Sequence, residues 1–417
     1  MTIWLRRFTA FTSLPVLGAA SSLLALPLVA RNVTPNEWAA LTVGQSLGLV
    51  TGILIGLGWP VVGAALVAQA SPAGQQRIYA DALTSRGIAA AALAPLAAVT
   101  AAWLAPGQSS SFTCGLMAVA TALTGFSFAW FCVGRSAPRE IAIYEVGPRI
   151  LGLLVGALGV TVTGHASVYP AALAASTLCG LTAYTFHVLG RSPIKRLSAA
   201  SPLSALRSHV KLAFIETSAA SFTLGLGFLA GFALTVPELA GLGSGDRMSQ
   251  LLLQVTAALS STVHPWVAVA TGEEFSRRVV RAGAAHIALG LISLLAMGLI
   301  GPLVSALLFG PKLAAPVAVC WALGAYMLFV NLQTVACRHI LVTRRETGFV
   351  VRANVAAALL GVPLVLTGAR TGGAPGAAGG MAAGELLIFL FALPESVRTL
   401  QRTKVWAPAK SGRLADD

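Results

Sequence analysis

Long apolar runs, separated by short charged or Pro/Gly-rich breaks, occupy most of the chain. Runs of about 20 residues match the helix length needed to cross a hydrocarbon layer roughly 30 Å thick. They predict twelve membrane-spanning helices, over residues 9–30, 39–67, 87–105, 112–133, 146–163, 169–190, 212–235, 247–270, 284–309, 316–337, 349–368 and 377–394. The first run is longer than the apolar core of a cleaved signal, so it counts as a helix. The expected architecture is an all-α integral membrane protein of two six-helix bundles, with both termini cytoplasmic.

Charge placement fixes the sidedness. Of the 28 Lys and Arg residues, the twelve spans leave Arg31, Arg247, Lys312 and Arg370 on the outer side and the other 24 on the inner side. Composition agrees: 56% of 417 residues are hydrophobic, 43 more are Gly, and only 10% are charged, against about 25% in an ordinary soluble protein. A soluble fold is excluded, and the net charge of +14 is expected to face anionic inner-leaflet lipid rather than nucleic acid. The expected location is a multi-pass position in a bacterial inner membrane. Cys114, Cys132, Cys179, Cys320 and Cys337 lie inside apolar runs with no metal-ligand spacing. The six histidines share no such spacing either, and neither metal nor cofactor is expected.

Loop length narrows the chemistry. The longest connection is the basic stretch 191–211, and the chain has no DxD, GxxxxGK[ST], HExxH or GxSxG motif. A membrane-embedded sugar-transfer or polymerase enzyme is therefore disfavoured, and a transporter working between its helices is expected. The same basic loop divides the chain into a bundle at 1–205 and a second at 206–396, with a basic tail at 397–417. Pro35-Asn36-Glu37-Trp38-Ala39-Ala40-Leu41 after the first span resembles Pro237-Glu238-Leu239-Ala240-Gly241-Leu242 after the seventh. Six spans per half predict a parallel repeat with a cleft between the bundles. Gly44, Gly48, Gly52 and Gly56 form a four-step GxxxG register, read first as a tight helix-packing groove and secondarily as a sliding surface.

Four segments carry a family resemblance. Leu26-Pro27-Leu28-Val29-Ala30-Arg31 with Thr34-Pro35-Asn36-Glu37-Trp38 resembles the signature after the first helix of polysaccharide and O-antigen flippases, within the multidrug/oligosaccharidyl-lipid/polysaccharide exporter superfamily. Gly134-Arg135 through Tyr144-Glu145-Val146 resembles that family's fourth-to-fifth helix loop. The stretch Leu239 to Arg247 resembles the entry to its eighth helix, and Leu308-Phe309-Gly310-Pro311 the turn after its ninth. The sequence departs from the pattern at Trp38-Ala39, where Phe-Gly is common, and in the seventh helix, which lacks the usual polar or acidic residue. The resemblance implies an export flippase that moves a polyprenyl-diphosphate-linked oligosaccharide from the inner to the outer leaflet by alternating access, with a polysaccharide polymerase or assembly complex as partner. The alternative within the superfamily is a cation-coupled multidrug antiporter, although residues 9–30 contain no acid. A major-facilitator carrier is disfavoured because residues 68–81 lack its basic loop motif.

Ionisable groups inside spans cost about 2.5–3.5 kcal/mol each on insertion scales and are therefore site candidates. Glu385 lies mid-span with no basic residue within one turn, so it is expected to be protonated, paired across helices or wet. Arg149 lies four residues after Glu145 on one helix face. It either pairs with that acid or reaches the cleft to hold a diphosphate, for which a guanidinium is geometrically suited. Glu216 serves as a helix-dipole partner or lines the cleft. Arg31 and Arg247 occupy matching outer helix ends, with Asp246 beside Arg247; they form either a local ion pair or an outer cationic site. Gln45, Gln254, Asn331 and Gln333 bond neighbouring helices or sugar hydroxyls.

Overall fold

The computed structural model describes residues 25–190 and 224–405, and all the regular structure there is helical. The body of the first span, the stretch 191–223 with Glu216 and the first half of the seventh span, and residues 406–417 of the basic tail lie outside the described residues. Beside two short helices, Pro138–Ile141 and Leu226–Ala230, twelve helices are described there: α1 Pro35–Gly56, α2 Trp59–Gln69, α3 Pro72–Trp103, α4 Ser111–Ala122, α5 Ala129–Gly134, α6 Gly147–Thr163, α7 Val168–Leu189, α8 Val236–Ala268, α9 Gly272–Leu295, α10 Gly301–Phe309, α11 Val317–Thr334 and α12 Thr347–Val405. Short 3₁₀ and π turns join several of them, and together they account for the ten predicted spans that the described residues cover. Among the described residues, eight stretches are long and apolar enough to cross a membrane by length and composition.

Local sequence sets the ends. Thr34 closes a capping box on Glu37, whose carboxylate accepts from Thr34 N at 2.8 Å, and Pro35 fills the first turn, where no N–H is needed. At the matching outer end of α8 the Glu238 carboxylate accepts from Thr235 N at 3.0 Å, again with a proline in the first turn. Ser71 caps α3 and starts it at Pro72, fifteen residues before the sequence expectation. Arg86 therefore lies in a helix rather than an inner loop, and it is fully buried. The second span breaks at Leu57 and Gly58, both in the left-handed region. The last two spans are one run folded at Gly373 (φ 61°, ψ −147°), a backbone shape open to glycine.

The GxxxG register has the packing role. Gly44, Gly48 and Gly52 sit against Cys114, Thr121 and Thr124, and a side chain at Gly48 would overlap Thr121. Because lipid provides no hydrophobic drive for helices to associate, this close approach of α1 and α4 stabilises the first group of helices through dispersion.

Helices α1–α7 pack as one group and α8–α12 as another. The hydrogen bonds joining them cluster at the outer end of α1 and just before it, between Arg31 and Ser46. On the sidedness set by the loop charges, the two groups are closed against each other on the outer side.

Candidate functional site

The seam between the groups is built on Trp38. Its position follows from the capping box, which launches α1 with Trp38 one turn in, facing α8. The ring is fully buried, and its Nε1 donates to Ser244 Oγ at 3.0 Å. The Arg247 guanidinium stacks on the indole, 3.9 Å from a ring centroid, with the Phe309 ring 5.4 Å from Trp38. Arg247 also donates to Gln45 Oε1 at 3.2 Å and to Thr42 Oγ1 at 3.5 Å. Deeper in the seam, Ser46 Oγ donates to Leu224 O and accepts from Gly227 N. A small cleft opens here, lined by Thr42, Gln45, Ser46, Leu49, Gly243, Asp246 and Arg247.

Charge in this cleft is incompletely matched. Arg247 is 5% exposed, yet its Nε has no hydrogen-bond partner among the described residues, and no ion pair joins it to Asp246. Asp246 Oδ1 is likewise buried without a partner. Adjacent positions on a helix point about 100° apart, so Asp246 and Arg247 diverge into different parts of the cleft wall. Gln254 lies seven residues after Arg247, two turns nearer the cytoplasm on the same face of α8, and is exposed.

The other predicted residues are distributed around this seam. Arg31 is exposed at the outer surface and donates to Leu307 O at 2.9 Å, so it bridges the two groups but makes no joint cationic site with Arg247. The Glu145 carboxylate accepts from Ser127 Oγ at 2.6 Å and Phe128 N at 3.2 Å, and the expected contact with Arg149 is not formed. That leaves Arg149 exposed at the cytoplasmic end of α6, on the stripe continued by the buried Leu153, Gly156 and Val160. Tyr169 is buried and lies within the electrostatic influence of both Arg149 and Arg247. Glu385 is 3% exposed, its Oε2 lacks a partner, and Tyr326 and Cys337 stand within its electrostatic reach. It is not part of the seam. Asn331 bonds Thr256, Met327 O and His286 inside the second group.

Sequence reading missed three features. Trp38 was visible only as a departure from a family pattern, although an aromatic one turn into the matching segment was the available signal. Thr42 and Ser46 were hidden because small hydroxyl residues are common in packed membrane helices. His264, His286 and His339 come together from three helices, and no sequence spacing could announce it. Among the described residues, no group of three or more His, Cys, Asp or Glu side chains is arranged to hold a metal ion.

No protein-family model matches the chain, and no curated protein matches its sequence. Solved structures do match its shape. The eukaryotic MATE transporter AtDTX14 superposes with a TM-score of 0.65 at 14% identity, covering 96% of this chain and 98% of that one. An inward-facing multidrug resistance MATE family transporter of the MOP superfamily gives 0.63 at 13% identity over 96% and 99% of the two chains. An outward-facing structure carrying the same description gives 0.53 at 13% identity over 96% and 97%. The chain is a multi-span, all-helical membrane protein with the fold of MATE transporters.

Proposed function

We propose that the protein is an alternating-access transporter that flips a polyprenyl-diphosphate-linked oligosaccharide from the inner to the outer leaflet. The observation that carries this reading is Arg247: a guanidinium held in the seam between the two groups, stacked on Trp38, with an N–H left unsatisfied and no carboxylate paired to it. Burying such a group is costly unless something completes its bonding, and a diphosphate supplies oxygens that suit its fork geometry. Arg149 at the inner end of the same path gives the anion a first contact, while Gln45 and Gln254 offer amides to sugar hydroxyls. With the outer side closed, substrate enters from the cytoplasmic leaflet, and opening of the seam releases it outward. Transfer breaks no covalent bond.

A second reading, export of cationic drugs, draws on Glu385, an acid buried without a basic partner, and on the multidrug resistance named for the similar structures. Depleting the protein and extracting lipids for mass spectrometry separates the two. The flippase reading expects a complete, untransferred lipid-linked repeat to build up while surface glycan falls. Unchanged lipid-linked sugar together with increased drug sensitivity would reject it in favour of drug export.

A further inference from the structure

The second group of helices contains a buried polar chain that the seam does not use. Asn331 Nδ2 donates to Met327 O at 2.9 Å and to Thr256 Oγ1 at 3.2 Å, so its Oδ1 is the atom facing His286 Nδ1 at 2.9 Å. An amide oxygen only accepts, and His286 Nδ1 therefore carries the hydrogen. The other nitrogen of a neutral His286 is then an acceptor. His339 Nε2 stands 3.1 Å from it and must be the donor. This assigns both tautomers and leaves one lone pair over, on His339 Nδ1, which is buried and has no partner among the described residues. Both rings are fully buried.

We propose that His286 and His339 form a binding site for one proton, and that the empty site holds the outward-closed conformer. An incoming proton attaches at His339 Nδ1. The proton on His339 Nε2 then passes along the Nε2 to Nε2 bond to His286, so one excess proton is shared by two rings and no other bond changes. Histidine is suited to this because its ordinary titration lies near physiological pH. The charged and titratable groups acting on the pair are His264 from α8 and Arg338 from its own segment. His264 is half-buried, with its ring centroid 5.8 Å from that of His339, and Arg338 is exposed. All of these lie toward the cytoplasmic ends of their helices. His339 sits in the widened π-helical turn Val335–Val342, and such turns recur at functional sites.

The chain reaches the seam through α8. Thr256, which receives the Asn331 bond, lies nine residues from Arg247 on the same helix, about 14 Å at 1.5 Å per residue. In the present conformer a charged His339 would direct an N–H at no acceptor. Protonation therefore weights the equilibrium toward a conformer that provides one, and acid loosens the outer seam. This inference rests on the transporter reading but not on the substrate, and its test uses no substrate.

The test uses the purified full chain in lipid nanodiscs, with ¹⁵N-labelled histidine, titrated from pH 8.5 to 5. The expected result is that the His286 and His339 signals move together with the uptake of one proton. Amide hydrogen exchange in residues 38–46, taken relative to the intrinsic rate at each pH, should rise with the same midpoint, by about tenfold if the opened state binds the proton ten times more tightly. His339→Gln keeps an amide N–H for His286 but has no basic lone pair; it should fold and lose the acid response. Rings that stay neutral throughout, rings that titrate independently, or a seam indifferent to their titration would each overturn the proposal. If His339→Gln does not fold, the wild-type titration and exchange decide alone. Lipid-linked sugar accumulation is read separately, so either reading can fail while the other stands.

Discussion

Each half of the molecule buries a polar cluster near the cytoplasmic side, and the two differ in what they tie together. In the first half, Arg86 Nε donates to Ala82 O at 2.9 Å and its Nη1 to Gly125 O at 3.2 Å and Ser127 O at 2.9 Å. Its guanidinium carbon lies 5.8 Å from the Phe126 ring and 5.7 Å from Trp130. Glu145 accepts from Ser127 Oγ and Phe128 N. One charge serves the carbonyls and the other the donors of the same break between α4 and α5, where intrahelical bonding stops at Gly125–Phe128. Non-helical backbone at membrane depth is tolerated only when its polar groups are satisfied inside the protein. In the second half, the bonds from Thr256 to His339 end on an unpaired nitrogen, and Glu385 keeps an unpaired oxygen. One Arg86 nitrogen, Nη2, is itself buried without a partner among the described residues, so the clusters differ in that Arg86 and Glu145 tie together a break in the backbone, whereas the histidine pair ends on a ring nitrogen that can take up a proton.

Substitutions test that contrast. Arg86→Ala should have the largest effect, removing bonds from three backbone carbonyls in a buried site, with a destabilisation on the order of 3 kcal/mol or more. Cell abundance and thermal unfolding measure it; wild-type stability would place Arg86 outside the structural role. Arg247→Ala should leave abundance near wild type and slow glycan export at least about tenfold, equal to 1.4 kcal/mol or more at the rate-limiting step. Arg247→Lys should recover only part of this, because an ammonium cannot both stack on Trp38 and present a fork. Equal export by Arg247→Lys and wild type would remove the stacking argument.

Glu385→Gln is expected to retain normal abundance, since it keeps volume and hydrogen-bonding capacity, while export falls a few-fold. Normal export at normal abundance would make Glu385 structural. The smallest effect belongs to Glu238, in the outer first turn of α8. Bonds from Thr235 hold its carboxyl below the ordinary carboxylate range. A depressed folded-state value means the cap is complete at neutral pH and fades as pH falls through the acid range. Glu238→Ala should cost about 1 kcal/mol at pH 7 and progressively less in acid, as read by unfolding midpoints.

The helical architecture was legible because the hydrophobic run, the proline at a first turn and the loop charge act locally. The same locality explains the boundary errors: Ser71 and Pro72 start α3 in polar sequence, and a hydropathy run alone places that start at residue 87. Gly48 was readable as a groove, since spacing reports a helix face. The seam was half legible. Gln45 stood out as a polar group in a span and Asp246 and Arg247 as charges at an outer helix end. The structure starts α8 at Val236, which buries Arg247 about three turns in, and all three line one cleft, but Trp38 joins them only through the packing of α1 on α8. The Glu145–Arg149 spacing suggested a pair, and the carboxylate instead satisfies a break in a different helix. Three histidines 22 and 53 residues apart in sequence carry no shared period, so only the fold brings them together.

The most direct measurement is translocation by the purified protein in liposomes loaded with fluorescently labelled lipid-linked oligosaccharide extracted from depleted cells. Movement of the label to the opposite leaflet with wild-type protein, slowed at least about tenfold by Arg247→Ala, is the predicted result. Movement no faster than in protein-free liposomes, or equal rates for the two proteins, would contradict the assignment of the seam as the path of a diphosphate-linked sugar.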